Sequence, residues 1–167
     1  YQVMQRLMKM QCIKHERVFH NRHGVYLLTK KGARFTDLRA LNKIPTGNYE
    51  HQIAITNLCI RLRELYPSAQ WISERHLQQD KFCDGVGKIG HLADAMLILE
   101  DGKKVAIEVE LRLKGKERTE KILRGYGTDF NLYEVWYYCR AGLMGTLKSW
   151  AADLPFIKIY DLAQVLG

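Results

Sequence analysis

The chain has 167 residues, of which 47% are hydrophobic and 26% are charged, so it can form one domain of ordinary size or a small module beside a medium one. No apolar run approaches the roughly 20 residues of a membrane span and no signal-peptide pattern is present, so we expect a cytoplasmic protein with no membrane partner. The net charge is +8, and this whole excess lies in residues 1–49, which carry ten Lys or Arg against two acidic residues. A basic segment beside a neutral one indicates a polyanion partner, most often nucleic acid.

The basic segment is predicted to form a helix over 1–10, a hairpin from the β-prone runs 12–19 and 25–28, and a helix over 30–41 that Thr29 caps. A helix, a two-stranded wing and the sequence YLLTKKG before a second helix resemble the second half of a winged-helix DNA-binding domain. The first helices of such a domain are not in the sequence, so we expect a partial module.

This resemblance implies that residues 1–44 are a partial winged-helix domain that contacts DNA mainly through phosphates. The candidate contacts are the basic side chains of the wing and of the helix after it: Lys14, Arg17, Arg22, Lys30 and Lys31. The alternative is that these charges only make the surface soluble.

Residues 42–48 have the Pro, Gly and Asn content of a linker, and the segment 49–167 after them is predicted to form a mixed sheet flanked by helices. The pattern predicts a helix over 49–66, strands at 69–73, 92–99 and 104–111, a helix over 116–125, a strand at 134–139, a helix over 143–152 and a strand at 156–160. A loop is predicted for 78–90, and an Asp-Gly turn joins the second and third of these strands.

Three carboxylates lie where this sheet would otherwise be apolar. Asp94 opens one strand, and Glu108 and Glu110 flank Val109 in the next. Side chains alternate along a strand, so the two glutamates share a face, and the turn folds Asp94 back towards them. Uncompensated, these charges would repel one another and burial would raise their pKa values. A hard divalent cation resolves this problem, because Mg²⁺ prefers oxygen ligands and usually keeps waters and a substrate phosphate.

The arrangement resembles the PD-(D/E)XK nuclease superfamily, with Asp94 as the aspartate and Glu108-Val109-Glu110 in the position of (D/E)-x-K. The resemblance implies an α+β, restriction-endonuclease-like domain over 49–167. It also implies Mg²⁺ or Mn²⁺ held by Asp94, Glu108 and the Val109 carbonyl.

Other residues complete the site that this resemblance implies. Glu110 stands where the superfamily has lysine, so Lys114 is the candidate for the ammonium group that stabilises the phosphate. Glu74 occupies the place of an additional acidic residue. Glu74 or Glu110 would accept the proton of an attacking water. We expect this water to be the nucleophile, because the sequence singles out none of the nine tyrosines.

A second resemblance covers nearly the whole chain. A winged helix followed by WISERHL, ADAMLIL, VAIEVELRLKGKERTEKILRGY and VWYYC resembles the replication-relaxation family, which includes plasmid mobilisation relaxases of the MobC class. The resemblance implies a DNA relaxase or nicking endonuclease at a plasmid or mobile-element origin of transfer or replication. It further implies relaxosome accessory proteins as partners beside double-stranded DNA, or a single strand after nicking.

Two other functions stay open. A catalytically inactive nuclease fold that binds DNA as an accessory or regulatory protein would explain the missing lysine at position 110. A transcription regulator with a sensing domain is a third function, but it leaves the carboxylates unexplained. The role of the basic helix over 116–125 is also left open. Its cations either face solvent beside Glu117 and Glu120 or follow the DNA backbone.

Overall fold

The computed structural model describes residues 2–37, 39–41, 46–83, 91–129 and 131–167. They belong to two compact units, Tyr1–Tyr49 and Glu50–Gly167, each with its own sheet. No helix within the described ranges is long and apolar enough to cross a lipid bilayer.

The first unit contains a helix, a two-stranded sheet, a one-turn helix and a short 3₁₀ helix at Thr46–Asn48. The elements are α1 (Gln2–Lys9), β1 (Ile13–Glu16), β2 (Val25–Leu28) and α2 (Lys30–Ala33). β1 and β2 pair antiparallel, with Ile13 opposite Leu28. Thr29 caps α2, because its Oγ1 accepts a hydrogen bond from the Gly32 backbone nitrogen at 3.1 Å. The predicted helix, hairpin and cap are confirmed.

The predicted helix over 30–41 is wrong beyond its first turn. Gly32 packs so closely on the preceding strand that a Cβ atom there would lie 1.9 Å from the Cys12 backbone oxygen. After Ala33 the chain turns, and the Thr36 hydroxyl donates to the Ala33 oxygen at 3.1 Å. Local side-chain hydrogen bonds of this kind compete with continuation of a helix. Residue 38 lies outside the described residues.

The second unit is a five-stranded mixed sheet flanked by helices, so the predicted mixed class is confirmed. Its elements are α3 (Tyr49–Leu65), β3 (Gln70–Ser73), α4 (Glu74–Cys83), β4 (Ala95–Ile98), β5 (Lys104–Glu110), α5 (Lys116–Tyr126), β6 (Glu134–Cys139), α6 (Ala141–Trp150), β7 (Ile157–Asp161) and α7 (Leu162–Leu166). The strand order is β3-β4-β5-β6-β7. The first three strands are antiparallel, and β5, β6 and β7 are parallel.

The loop predicted for 78–90 is wrong in its first part, because α4 continues to Cys83. Gln78 belongs to this helix, and its side-chain amide donates to Glu74 Oε1, one turn earlier, at 3.0 Å. Such contacts between residues four apart support a helix that has little apolar periodicity of its own. The remainder of that loop, 84–90, lies outside the described residues.

The two faces of the sheet carry separate apolar layers, and β5 contributes to both. On one face, Val105, Ile107 and Val109 of β5 belong to the same apolar cluster as the buried residues of α3. On the other face, Ala106 packs with Leu123 of α5. Glu108 and Glu110 alternate with the first set and are only 3% and 7% exposed. The prediction that the two glutamates share the face opposite Val109 is confirmed.

Candidate active site

The β4–β5 hairpin brings Asp94 and Glu108 to the same end of the sheet. β4 and β5 are antiparallel neighbours, as predicted, with Ala95 opposite Ile107. This register places Asp94, the residue before β4, across from Glu108. Asp94 Oδ2 accepts a hydrogen bond from the Val109 backbone nitrogen at 2.8 Å, which ties the carboxylate to the end of β5.

His51, in the first turn of α3, holds Asp94 from a second direction. Its Nε2 lies 3.2 Å from Asp94 Oδ2 and 2.9 Å from the Val109 carbonyl oxygen. Both oxygens are acceptors, so Nε2 carries the proton and donates to both. The hydrogen bond with Asp94 raises the pKa of His51, and burial opposes this effect. The Val109 carbonyl, expected to face a metal ion, is therefore in contact with His51.

Glu108 is held by two donors on one oxygen. Its Oε1 lies 2.7 Å from His91 Nε2 and also accepts a hydrogen bond from the Tyr126 hydroxyl. Burial raises the pKa of Glu108, and the hydrogen bond with Glu108 raises the pKa of His91. The pair therefore keeps a proton to a higher pH than the isolated groups would. Burial also raises the pKa of Tyr126, which keeps its hydroxyl protonated.

Glu110 has a lysine as its partner. Its Oε2 lies 3.5 Å from Lys114 Nζ, and the Lys114 side chain is 34% exposed. Gly115, which follows, has a φ of +91°, a conformation that favours glycine and lets the chain turn from β5 into α5. The structure thus brings the candidate ammonium group beside the third carboxylate.

Each carboxylate therefore has one basic partner: His51 for Asp94, His91 for Glu108 and Lys114 for Glu110. The premise that these carboxylates are uncompensated is wrong, and their burial does not by itself require a metal ion. In the part of the chain that the structure describes, no group of three or more His, Cys, Asp or Glu could hold a metal ion.

Asp94 and Glu108 each keep one carboxylate oxygen that accepts no hydrogen bond from the described residues. The hydrogen bonds that the described residues make to these carboxylates reach Asp94 Oδ2 and Glu108 Oε1, and leave Oδ1 and Oε2 for another ligand. Mg²⁺ is commonly held by one or two carboxylates together with waters and a substrate phosphate. The donor set therefore suits such an ion, although it does not form a closed cage.

Glu74 lies next to the site through its backbone. Its nitrogen donates to the Asp94 backbone oxygen at 3.1 Å, where β3 passes into α4. Its carboxylate accepts the hydrogen bond from Gln78 on the solvent side of α4. The structure thus places Glu74 beside Asp94 but shows its side chain bonded along its own helix.

The candidate DNA contacts of the first unit lie on the hairpin and the helix after it. Lys14 is on β1, where it forms an ion pair with Glu16. The other four are exposed, two of them between β1 and β2 and two in α2: Arg17, Arg22, Lys30 and Lys31.

Sequence reasoning missed three side chains of the site, His51, His91 and Tyr126. The sequence alone predicts that His51 is an ordinary histidine on the apolar face of a helix and that Tyr126 is a residue of the hydrophobic core. A signal was available for His91, which stands three residues before Asp94. Carboxylates that bind a metal ion are usually hydrogen-bonded by neighbouring groups, and a histidine can be such a donor.

No family model, no curated protein and no solved structure matches this chain. We therefore infer a function from the geometry of the carboxylates and from the distribution of charge. The nuclease-like and winged-helix folds remain predictions.

Proposed function

We propose that the chain is a metal-dependent DNA nickase, or relaxase, that acts at a plasmid or mobile-element origin of transfer or replication. The observation that supports it best is the approach of Asp94 and Glu108 at adjacent strand ends, each with one oxygen left for an ion. The order α3, β3, β4, β5, α5 and β6, with α4 between β3 and β4, has three antiparallel strands before a helix and a parallel strand, which supports a PD-(D/E)XK-like fold for residues 49–167. The capped turn after the hairpin supports a partial winged helix for 1–44.

In this proposal Asp94 and Glu108 would hold Mg²⁺ or Mn²⁺, and the bound ion would supply an acidified water and neutralise charge on the phosphate. His51 fixes Asp94 against the Val109 carbonyl, and His91 and Tyr126 fix Glu108. Supporting hydrogen bonds of this kind matter, because their loss typically lowers metal affinity by roughly 10- to 100-fold.

Lys114 supplies the ammonium group that the superfamily carries at position 110. It is partly exposed and only 3.5 Å from Glu110, so it can move to a phosphate oxygen and stabilise the charge that develops there. Glu110 then has a free oxygen that can accept the proton of the attacking water, and Glu74 is the other acceptor.

The environment of Tyr126 supports water as the nucleophile. Its hydroxyl donates to Glu108, and burial raises its pKa, so the reactive tyrosinate is disfavoured. A covalent link from this tyrosine to DNA would need the hydroxyl to leave Glu108 first.

The second candidate function is a catalytically inactive nuclease fold that binds DNA as an accessory protein. The observation that favours it is that all three carboxylates are already compensated by basic side chains. Glu110 in place of lysine points the same way.

The nicking of supercoiled DNA that carries the cognate origin, assayed with the full-length protein in Mg²⁺ or Mn²⁺, separates these functions. Asp94→Asn and Glu108→Gln should abolish nicking and leave DNA affinity nearly unchanged, because both keep the shape of the side chain. Lys114→Ala should slow nicking by a smaller factor. Asp101→Asn is the matched control, since it removes an exposed carboxylate at the opposite end of the same hairpin. A wild-type protein that binds this DNA but does not nick it with either ion supports the accessory function.

A further inference from the structure

A strip of cations borders the carboxylates of the second unit. Residues 112–124 contain six Lys or Arg against two Glu, whereas residues 50–167 as a whole carry no net charge. We propose that this basic strip, residues 112–124, binds the phosphate backbone of DNA beside the site of cleavage. The proposal rests on the proposed function for the identity of the polyanion.

The segment that carries the strip contacts the carboxylates near the start of the strip and just after its end. Lys114, just before α5, contacts Glu110, and Tyr126, in the last turn of α5, donates to Glu108. Leu123 packs on the same face of the sheet as Ala106, so α5 lies along the carboxylate-bearing face of β5. Its 11 residues extend about 16 Å, and a duplex carries about one phosphate charge per 1.7 Å of its axis. A duplex beside α5 therefore presents several phosphates to it.

The outer face of α5 is basic and has little internal compensation. Thr119 and Leu123 are buried against the sheet, whereas Arg118, Lys121 and Arg124 are exposed. These three cations form no ion pair with any residue that the structure describes.

A helix that only faces solvent commonly pairs its charges four residues apart, as Lys116 and Glu120 do at 3.9 Å. Lys121 and Arg124 also follow a glutamate by four residues, Glu117 and Glu120, but neither forms such an ion pair among the residues that the structure describes. A chain of phosphates would neutralise them and would at the same time bring the backbone to Asp94 and Glu108.

The test measures binding of the full-length protein to a DNA duplex in EDTA, where metal-dependent cleavage cannot interfere. The strip variant is R118A/K121A/R124A. The matched control is R63A/K103A/K104A, which removes three exposed cations of the same unit, on α3 and at the opposite end of β5. In the strip variant, we expect the slope of log affinity against log salt to fall by about 0.9 for each phosphate that is no longer neutralised. The slope should change little in the control, and R118K/R124K should keep the wild-type slope.

Several results would overturn the proposal. Equal reductions of affinity in the two triple variants would mean that only overall charge matters. An unchanged slope in the strip variant, or no DNA affinity in the wild type, would exclude the strip as a binding surface. Preferential binding of an RNA duplex of the same length would exclude DNA as the occupant.

A separate nicking assay in Mn²⁺ distinguishes failure of the strip from failure of the enzyme. A wild-type protein that binds DNA through the strip but does not nick it refutes the nickase and supports the strip. A wild-type protein that nicks DNA, with an unchanged slope in the strip variant, refutes only the strip.

Discussion

Replacement of His91 by alanine should destabilise the second unit by about 2 kcal/mol. Glu108 is 3% exposed, and removing one partner of a fully buried ion pair costs roughly 3–5 kcal/mol. Two features of the structure lower this figure. The His91 side chain is 29% exposed, and Tyr126 still donates to Glu108. The remaining cost is that of removing one hydrogen bond to a charged group, about 1.5–3 kcal/mol.

Denaturant unfolding of wild type, H91A, E108Q and H91A/E108Q at pH 6 measures this interaction as a double-mutant cycle. We expect a coupling free energy of about 1.5–2 kcal/mol, because the glutamine does not need a charged partner. The exposed pair of Lys103 and Asp101 in the same unit provides a matched control cycle, which should show only a small coupling.

The pH dependence of this coupling has a defined sign. The pKa of His91 is raised in the folded protein, so the folded state binds the proton more tightly than the unfolded state does. The stabilisation is fully present below the unfolded-state pKa of about 6.5 and is lost as the pH rises through the folded-state pKa. The coupling should therefore be larger at pH 6 than at pH 9. A coupling that is absent, or that grows with pH, would refute the charged pair.

The remaining predictions concern the first unit. Replacing Lys14, Arg17 and Arg22 by alanine should weaken DNA binding and reduce its salt slope by about 0.9 for each phosphate that is no longer neutralised, and an unchanged affinity and slope would show that the hairpin does not touch DNA. Gly32→Ala should destabilise this unit by roughly 1–3 kcal/mol in urea, because its Cβ atom would lie 1.9 Å from a backbone carbonyl oxygen, and an unchanged unfolding midpoint would contradict that packing.

Elements with a strong local pattern could be predicted from the sequence. β6 (Glu134–Cys139) has the bounds predicted from the apolar and aromatic run at its centre, and the Asp101-Gly102 turn between β4 and β5 has a glycine φ of +81°, as the dipeptide predicts. The ends of α2 and α4 could not be predicted in this way, because they depend on interactions that the local hydrophobic pattern does not contain. α2 ends close to Gly32, which packs against the backbone of Cys12. The pattern of residues 30–41 gives no indication of this contact, because Cys12 is distant in the sequence.

In the candidate site, too, local patterns were predictable and contacts between distant residues were not. Alternation along β5 and the register of one hairpin are enough to bring Asp94, Glu108 and Glu110 together. The hydrogen bond of His51 with Val109, in contrast, joins residues 58 positions apart and depends on how α3 packs on the sheet. His91 reaches Glu108 across 17 positions. Sequence spacing could therefore predict the carboxylates and Lys114, but not the two histidine partners.

The histidine partners affect how metal binding should depend on pH. A divalent cation that enters beside Asp94 and Glu108 meets two imidazoles whose raised pKa values favour the charged form. Protonated imidazoles that donate to the same carboxylates would oppose a cation there, so an ion would bind best when both histidines are neutral. Metal affinity should then increase with pH through the histidine range, more steeply than carboxylates alone would allow. An accessory protein without a metal ion has no such dependence, because its carboxylates are already balanced by the protons that the histidines keep.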